Sequence, residues 1–148
     1  MKAAFLLGRL VFGGFFLYNG VKHFTDRETH VQYAGMKKVP VPELAVTATG
    51  VALLVGGSSI LLGIKPKIGT AAILGFLLSV SPLMHNFWKI QDPDQRMNEL
   101  INFTKNMALA GGALALMGVE EPWSASVPLG QPGRVERARR FMRSKIAA

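Results

Sequence analysis

Hydrophobic positions along this chain fall into long blocks rather than into the spaced stripes of a soluble amphipathic helix. A helix needs about 20 consecutive apolar residues to cross the hydrocarbon core of a bilayer. Residues 3–21 form the first such block, interrupted by Arg9, and residues 44–64 form the second, which carries no charge. Residues 68–88 form the third, with His85 near its end. The fourth, residues 99–119, is polar in its first half, where Asn102, Lys105 and Asn106 crowd together. Its uninterrupted run from Met107 to Val119 is too short to span alone, so its polar face needs shelter from three neighbouring helices. The pattern predicts an all-α, polytopic membrane four-helix bundle over residues 1–119, followed by a separate segment over residues 120–148. Arg9 inside the first block, with no small-x-small motif after it, argues for a retained helix rather than a cleaved signal peptide.

Basic residues in the flanks set the expected orientation. With both ends on one side, that side carries Lys2, Lys65, Lys67 and the Arg/Lys cluster from Arg134 to Lys145. The expected location is a cytoplasmic membrane of bacterial type with both termini inside. Trp88 then marks the outer interface and Trp123 the inner one. In the outer loop, Thr25-x-x-Glu28 has the form of a capping box and predicts a short interfacial helix before Gly35. Pro40 and Pro42 predict an extended approach to the second span. After the fourth span, residues 120–132 read as an extended Pro/Gly/Ser linker. Val135, Ala138, Phe141, Met142 and Ile146 then share one face of a basic amphipathic helix, suited to an anionic leaflet or to a partner subunit.

The second and fourth blocks share a pattern. Glu43-Leu44 precedes Gly56-Gly57 and Gly63 much as Glu99-Leu100 precedes Gly111-Gly112 and Gly118. The first and third share a looser one, from Gly14-Phe15 to His23-Phe24 and from Gly75-Phe76 to His85-Asn86-Phe87. Two duplicated helical hairpins account for both. Glycines every seven residues also let helix backbones approach closely, which matters where lipid supplies no hydrophobic drive between helices.

Charge and composition narrow the chemistry. Seventeen Lys and Arg against nine Asp and Glu give +8 over 148 residues. Such an excess suits nucleic acid or a membrane surface, and the apolar blocks decide for the bilayer as partner, without nucleic acid. The absence of cysteine excludes disulfides, thiolate zinc sites, cysteine-ligated iron–sulfur clusters and thiol exchange. No metal site and no nucleophilic triad is indicated.

Placed at about 100° per residue, the polar residues of the four blocks form stripes near the outer ends of the spans. Turned inward, these stripes make one pocket holding His23, Glu43, His85, Asn102, Lys105 and Asn106. Arg9 is either an additional member or a side chain that snorkels to the inner headgroups. A Lys105–Glu43 ion pair is the structural alternative for those two residues. Donors of the His and Lys type between apolar walls suit the carbonyl oxygens of a lipid-soluble quinone. His23 and His85 at similar depth also admit a bis-imidazole haem, although nothing in the sequence sets their rings face to face, so haem ranks below quinone.

The chain resembles the DoxX-like family of small integral membrane proteins. The resemblance rests on Arg9, Gly20-x-x-His23-Phe24, Val39-Pro40-Val41-Pro42-Glu43, the Gly-Gly-x5-Gly second span, His85, and Phe103-x-Lys105-Asn106 leading into Gly111-Gly112. It implies four membrane helices. Namesake members are associated with a thiosulfate:quinone oxidoreductase, which lends support to a quinone-linked redox subunit, though nothing in the residues points to thiosulfate. The competing expectation is a non-catalytic assembly subunit, docking protein partners or further copies of itself. A small solute carrier ranks third.

Overall fold

Prolines set where most of the helices begin, because a first-turn residue has no intrahelical use for its N–H. Pro42, Pro66 and Pro93 each open a helix in a computed structural model that describes residues 2–127. The elements are α1 (Lys2–Thr25), α2 (Arg27–Met36), α3 (Pro42–Leu62), α4 (Pro66–Met84) and α5 (Pro93–Met117), with a 3₁₀ turn at Phe87–Lys89 before α5. The described residues contain no strand. The amphipathic helix expected between residues 134 and 148 lies outside the described residues.

Three helical stretches are long and apolar enough to cross a membrane: Ala3–Thr25, Pro42–Leu62 and Pro66–Lys89. Helix α5 is equally long, but its first half carries Asp94, Arg96, Glu99 and Lys105. Large apolar side chains point outward along these helices, as at Val11, Val55, Ile68 and Leu114, which is the surface a lipid environment calls for. Inside, Phe16, Leu53, Ile60, Ile73, Leu77 and Ala110 form one core. Helix α3 is central, packed between α1 and α4. Helix α5 packs on α4, and the short α2 lies against α3 and α1.

Backbone-to-backbone proximity governs these contacts. A side chain at Gly57 would sit 2.6 Å from the Leu17 backbone nitrogen and 2.9 Å from the Gly13 carbonyl oxygen. One at Gly20 would meet the Leu54 nitrogen at 2.7 Å, and one at Gly50 would strike His23 and Phe24. On the other face of α3, Gly56 abuts Ile73 and the carbonyl of Gly69. The second Gly-Gly pair is used differently: Gly111 has open space around it and Gly112 meets only Phe12.

Several local expectations give way to tertiary structure. The capping box does not form, since Asp26 occupies the N-cap of α2 without a side-chain cap bond and Thr25 donates to Asp26 instead. Helix α2 also continues past Gly35 to Met36. Val41, flanked by Pro40 and Pro42, is left-handed at φ 47°, not extended, because the chain must turn sharply there to start α3. Left-handed backbone is costly for a β-branched residue, so packing of α2 on α3 has to hold it.

The stretch expected to be a linker is docked in its described part. Trp123 is buried in the core and meets Phe5 edge-on at 5.4 Å between ring centroids. It therefore fills the protein interior rather than standing at a membrane interface. The Val127 N–H donates to the Leu62 carbonyl at 2.9 Å, and the Lys67 N–H donates to the Glu121 carboxylate at 3.2 Å. Residues 119–127 thus form a strap across the α3–α4 turn.

Gly57→Val is expected to destabilise the protein by about 1–3 kcal/mol or more, since a branched side chain would meet backbone atoms that cannot step aside. Gly111→Val should leave the melting temperature nearly unchanged. Thermal unfolding of both variants in the same detergent checks the pair, and equal losses would contradict the α1–α3 packing.

Candidate functional site

A cavity of about 410 Å³ lies beneath α2, among the ends of α1, α3 and α4 and the middle of α5. Its apolar walls include Phe15, Phe16, Leu53, Phe76, Leu77 and Leu109. The polar groups that line it are His23 and Asn19 from α1, His30 and Tyr33 from α2, Thr49 from α3, Ser79 and His85 from α4 and its end, and Asn106 from α5. The backbones of α1 and α5 do not approach closely, and the two helices meet through side chains such as Phe12 against Gly112.

All three histidines of the chain therefore reach one cavity. The rings of His23 and His30 lie 4.5 Å apart with a 35° tilt. His23 Nδ1 lies 2.8 Å from the Asn19 carbonyl oxygen, and His30 Nδ1 lies 2.9 Å from that of Asp26. Both bonds run back one turn along the ring's own helix. His85 stands at the C-terminal cap of α4, and its Nδ1 meets Glu99 Oε2 at 2.7 Å instead of a carbonyl one turn back.

Glu99 links three elements. One carboxylate oxygen faces His85 and the other accepts from the Lys37 ammonium at the C-terminal end of α2. All three side chains are largely shielded. Desolvation lowers the pKa of Lys37, but the hydrogen bond to Glu99, the Glu99 charge and the neighbouring Tyr33 oxygen outweigh it and leave the pKa above the ordinary lysine value. Lys37 therefore stays charged throughout the physiological range and holds Glu99 as a carboxylate. This cluster fixes α2 over the cavity.

The residues singled out in the sequence scatter around this arrangement. His23, His85 and Asn106 line the cavity. Asn102 is half-buried outside the lining, and Lys105 is exposed on α5 with no hydrogen bond or ion pair among the described residues. Glu43 is exposed and pairs with Arg27 at 3.6 Å, not with Lys105. Such an exposed pair contributes little.

Arg9 is far from the cavity, fully buried, and bound to the strap. Nη1 donates to the Ser124 carbonyl at 2.8 Å and Nη2 to that of Ala125 at 3.1 Å. It neither joins the pocket nor snorkels, and its Nε has no partner among the described residues. His30 and Glu99 were the residues that periodicity did not select. His30 falls on the short helix expected at the interface, and Glu99 opens the fourth block. A third histidine on that helix was the available signal. No group of three or more His, Asp or Glu among the described residues is arranged to hold a metal.

Among the described residues this is an all-helical membrane protein with a histidine-lined cavity near one end of its helices. The family model of DoxX matches residues 4–86, more than half of the chain, and the chain belongs to the DoxX family. The matched stretch runs from α1 through the end of α4, so α5 with Glu99 and Asn106 lies beyond it. No curated protein and no solved structure matches the chain.

Replacing Arg9 with Met leaves the Ser124 and Ala125 carbonyls without their donor, a loss of about 1–3 kcal/mol for buried groups. The strap is expected to loosen. In a Trp88→Phe background, where Trp123 is the sole indole, its emission should shift to the red. An unshifted spectrum would mean that packing of Trp123 alone holds the strap.

Proposed function

We propose that this protein holds a lipid-soluble ring ligand of the quinone class in the cavity beneath α2, as the membrane subunit of a redox system. One observation carries the reading: three imidazoles converge on a mainly apolar cavity of about 410 Å³. That volume falls within the roughly 300–1,000 Å³ of small-molecule sites, which combine apolar walls with a few placed polar groups. Membership of the DoxX family supports a membrane setting. The loose α1–α5 seam suits a ligand that arrives from the bilayer.

In this reading α5 is the fourth span. Its polar first half is met by α2 and the end of α4 through Lys37 and His85. The cavity lies on the outer side, opposite the basic α3–α4 turn with Lys65 and Lys67. Imidazoles can form hydrogen bonds with the oxygen substituents of the ring, while Phe15, Phe16 and Phe76 supply flat apolar contact.

Titration of decylubiquinol, kept anaerobic, and of decylubiquinone into protein held in lipid nanodiscs tests the reading, the tighter-binding form serving as the probe for variants. Wild type should bind saturably, and His23→Leu and His85→Leu should each weaken binding on the order of tenfold, the worth of one well-made hydrogen bond. Lys105→Met and Glu43→Gln lie away from the cavity and should bind like wild type. Absence of saturable binding of either form, or loss confined to Lys105→Met, would overturn the proposal.

A further inference from the structure

The hydrogen bonds already made around the cavity determine which kind of bond is left for a ligand. A carbonyl or carboxylate oxygen only accepts, so each histidine bonded to one through Nδ1 must carry its proton there. The Asn19 carbonyl fixes this for His23, the Asp26 carbonyl for His30, and the Glu99 carboxylate for His85. A neutral imidazole has one N–H, which leaves Nε2 as a bare lone pair on all three rings.

Two hydroxyls follow the same rule. Thr49 donates its proton to the Ala45 carbonyl at 2.7 Å, and Ser79 donates to that of Gly75 at 2.7 Å. Each then has only oxygen lone pairs to offer. The donors left in the lining are the Asn106 amide, the remaining N–H of Asn19 and the Tyr33 phenol. With its imidazoles neutral, the cavity is thus a set of acceptors with few donors.

We infer that the cavity selects the hydroxyl-bearing, reduced form of its ring ligand, a quinol, over the corresponding quinone. The inference rests on the quinone-class reading given above. A quinol brings two O–H donors that meet the Nε2 lone pairs. A quinone brings only carbonyl oxygens, which face lone pairs and gain nothing from them. A site built to accept from a substrate hydroxyl discriminates strongly against an analogue that lacks it, because its own polar groups are then left unpaired.

Two measurements test this with the full chain in nanodiscs, at about pH 8, above the ordinary imidazole range. The first compares anaerobic decylubiquinol, decylubiquinone and the di-O-methyl ether of the quinol. The quinol should bind on the order of tenfold tighter than the other two. The second is ¹⁵N NMR of histidine-labelled protein, in which three rings give a tractable spectrum. All three should show a protonated Nδ1 and a bare Nε2, and quinol should shift the Nε2 signals.

Equal or tighter binding of the quinone, or an Nε2 found protonated at this pH, would overturn the inference while leaving the quinone-class site standing. Failure of every probe to bind removes both readings together. Glu99→Gln gives a further check. It should release the His85 tautomer and reduce the preference for quinol, with the His23 and His30 signals unchanged. A preference and a His85 signal that both match wild type would contradict the positioning role of Glu99.

Discussion

The close approach of α1 and α3 constrains everything else in this structure. Among lipid tails, helices gain nothing by burying apolar surface against one another, and contact has to come from dispersion at short range. Gly13 and Gly57 provide it midway, and Gly20 and Gly50 extend it toward the α2 end. Once the two helices are clasped, the segment joining them has a short distance to cover. It fills the excess length by folding back as α2 over its own helix ends. That return places His30 against His23, and it requires the left-handed turn at Val41. The site is therefore a consequence of helix packing some distance beneath it.

At the opposite end a buried cation is handled without a counter-charge among the described residues. Arg9 is 2 % exposed and faces two backbone carbonyls of the strap. Carbonyls bonded to a guanidinium form charge-assisted bonds that are stronger than neutral ones. A polar group buried in a spanning helix has to find its partner within the protein, so the strap and Arg9 need each other. Gly63 belongs to the same arrangement, since a side chain there would collide with Ser126 and crowd Arg9. Its left-handed φ of 67° also ends α3.

Much of this architecture was legible because membrane helices announce themselves by length and apolarity. The depth of His23, His85 and Asn106 could be read as well. Facing could not. In a bilayer a polar side chain is expected to turn inward unless it lies close enough to an interface to reach water. Polarity alone therefore does not settle the facing of residues toward the ends of the spans. Lys105 and Asn106 make the point. They are adjacent, about 100° apart around the axis, and one is exposed while the other lines the cavity. The Lys37–Glu99–His85 cluster joins residues 62 positions apart, a link only the fold can make. Trp123 was read as interfacial on its type, yet the strap carries it into the core.

The histidines show how local structure can write recognition chemistry. His23 and His30 anchor Nδ1 on a carbonyl four residues back, within their own helices. Those carbonyls have two lone pairs, so a backbone bond and an imidazole bond can share one oxygen, as the Asp26 carbonyl does with the His30 N–H at 3.2 Å. Ring orientation and tautomer are then properties of the helix and persist as long as it does. His85, at the end of α4, bonds Glu99 with its ring instead of a carbonyl four residues back. Its orientation is borrowed from Glu99, and through Glu99 from Lys37 on α2. Two imidazoles of the cavity are thus set by secondary structure and one by tertiary contact. A displacement of α2 would leave the His23 tautomer intact and remove the support of Glu99, so His85 is the member through which movement of the covering helix reaches the ligand.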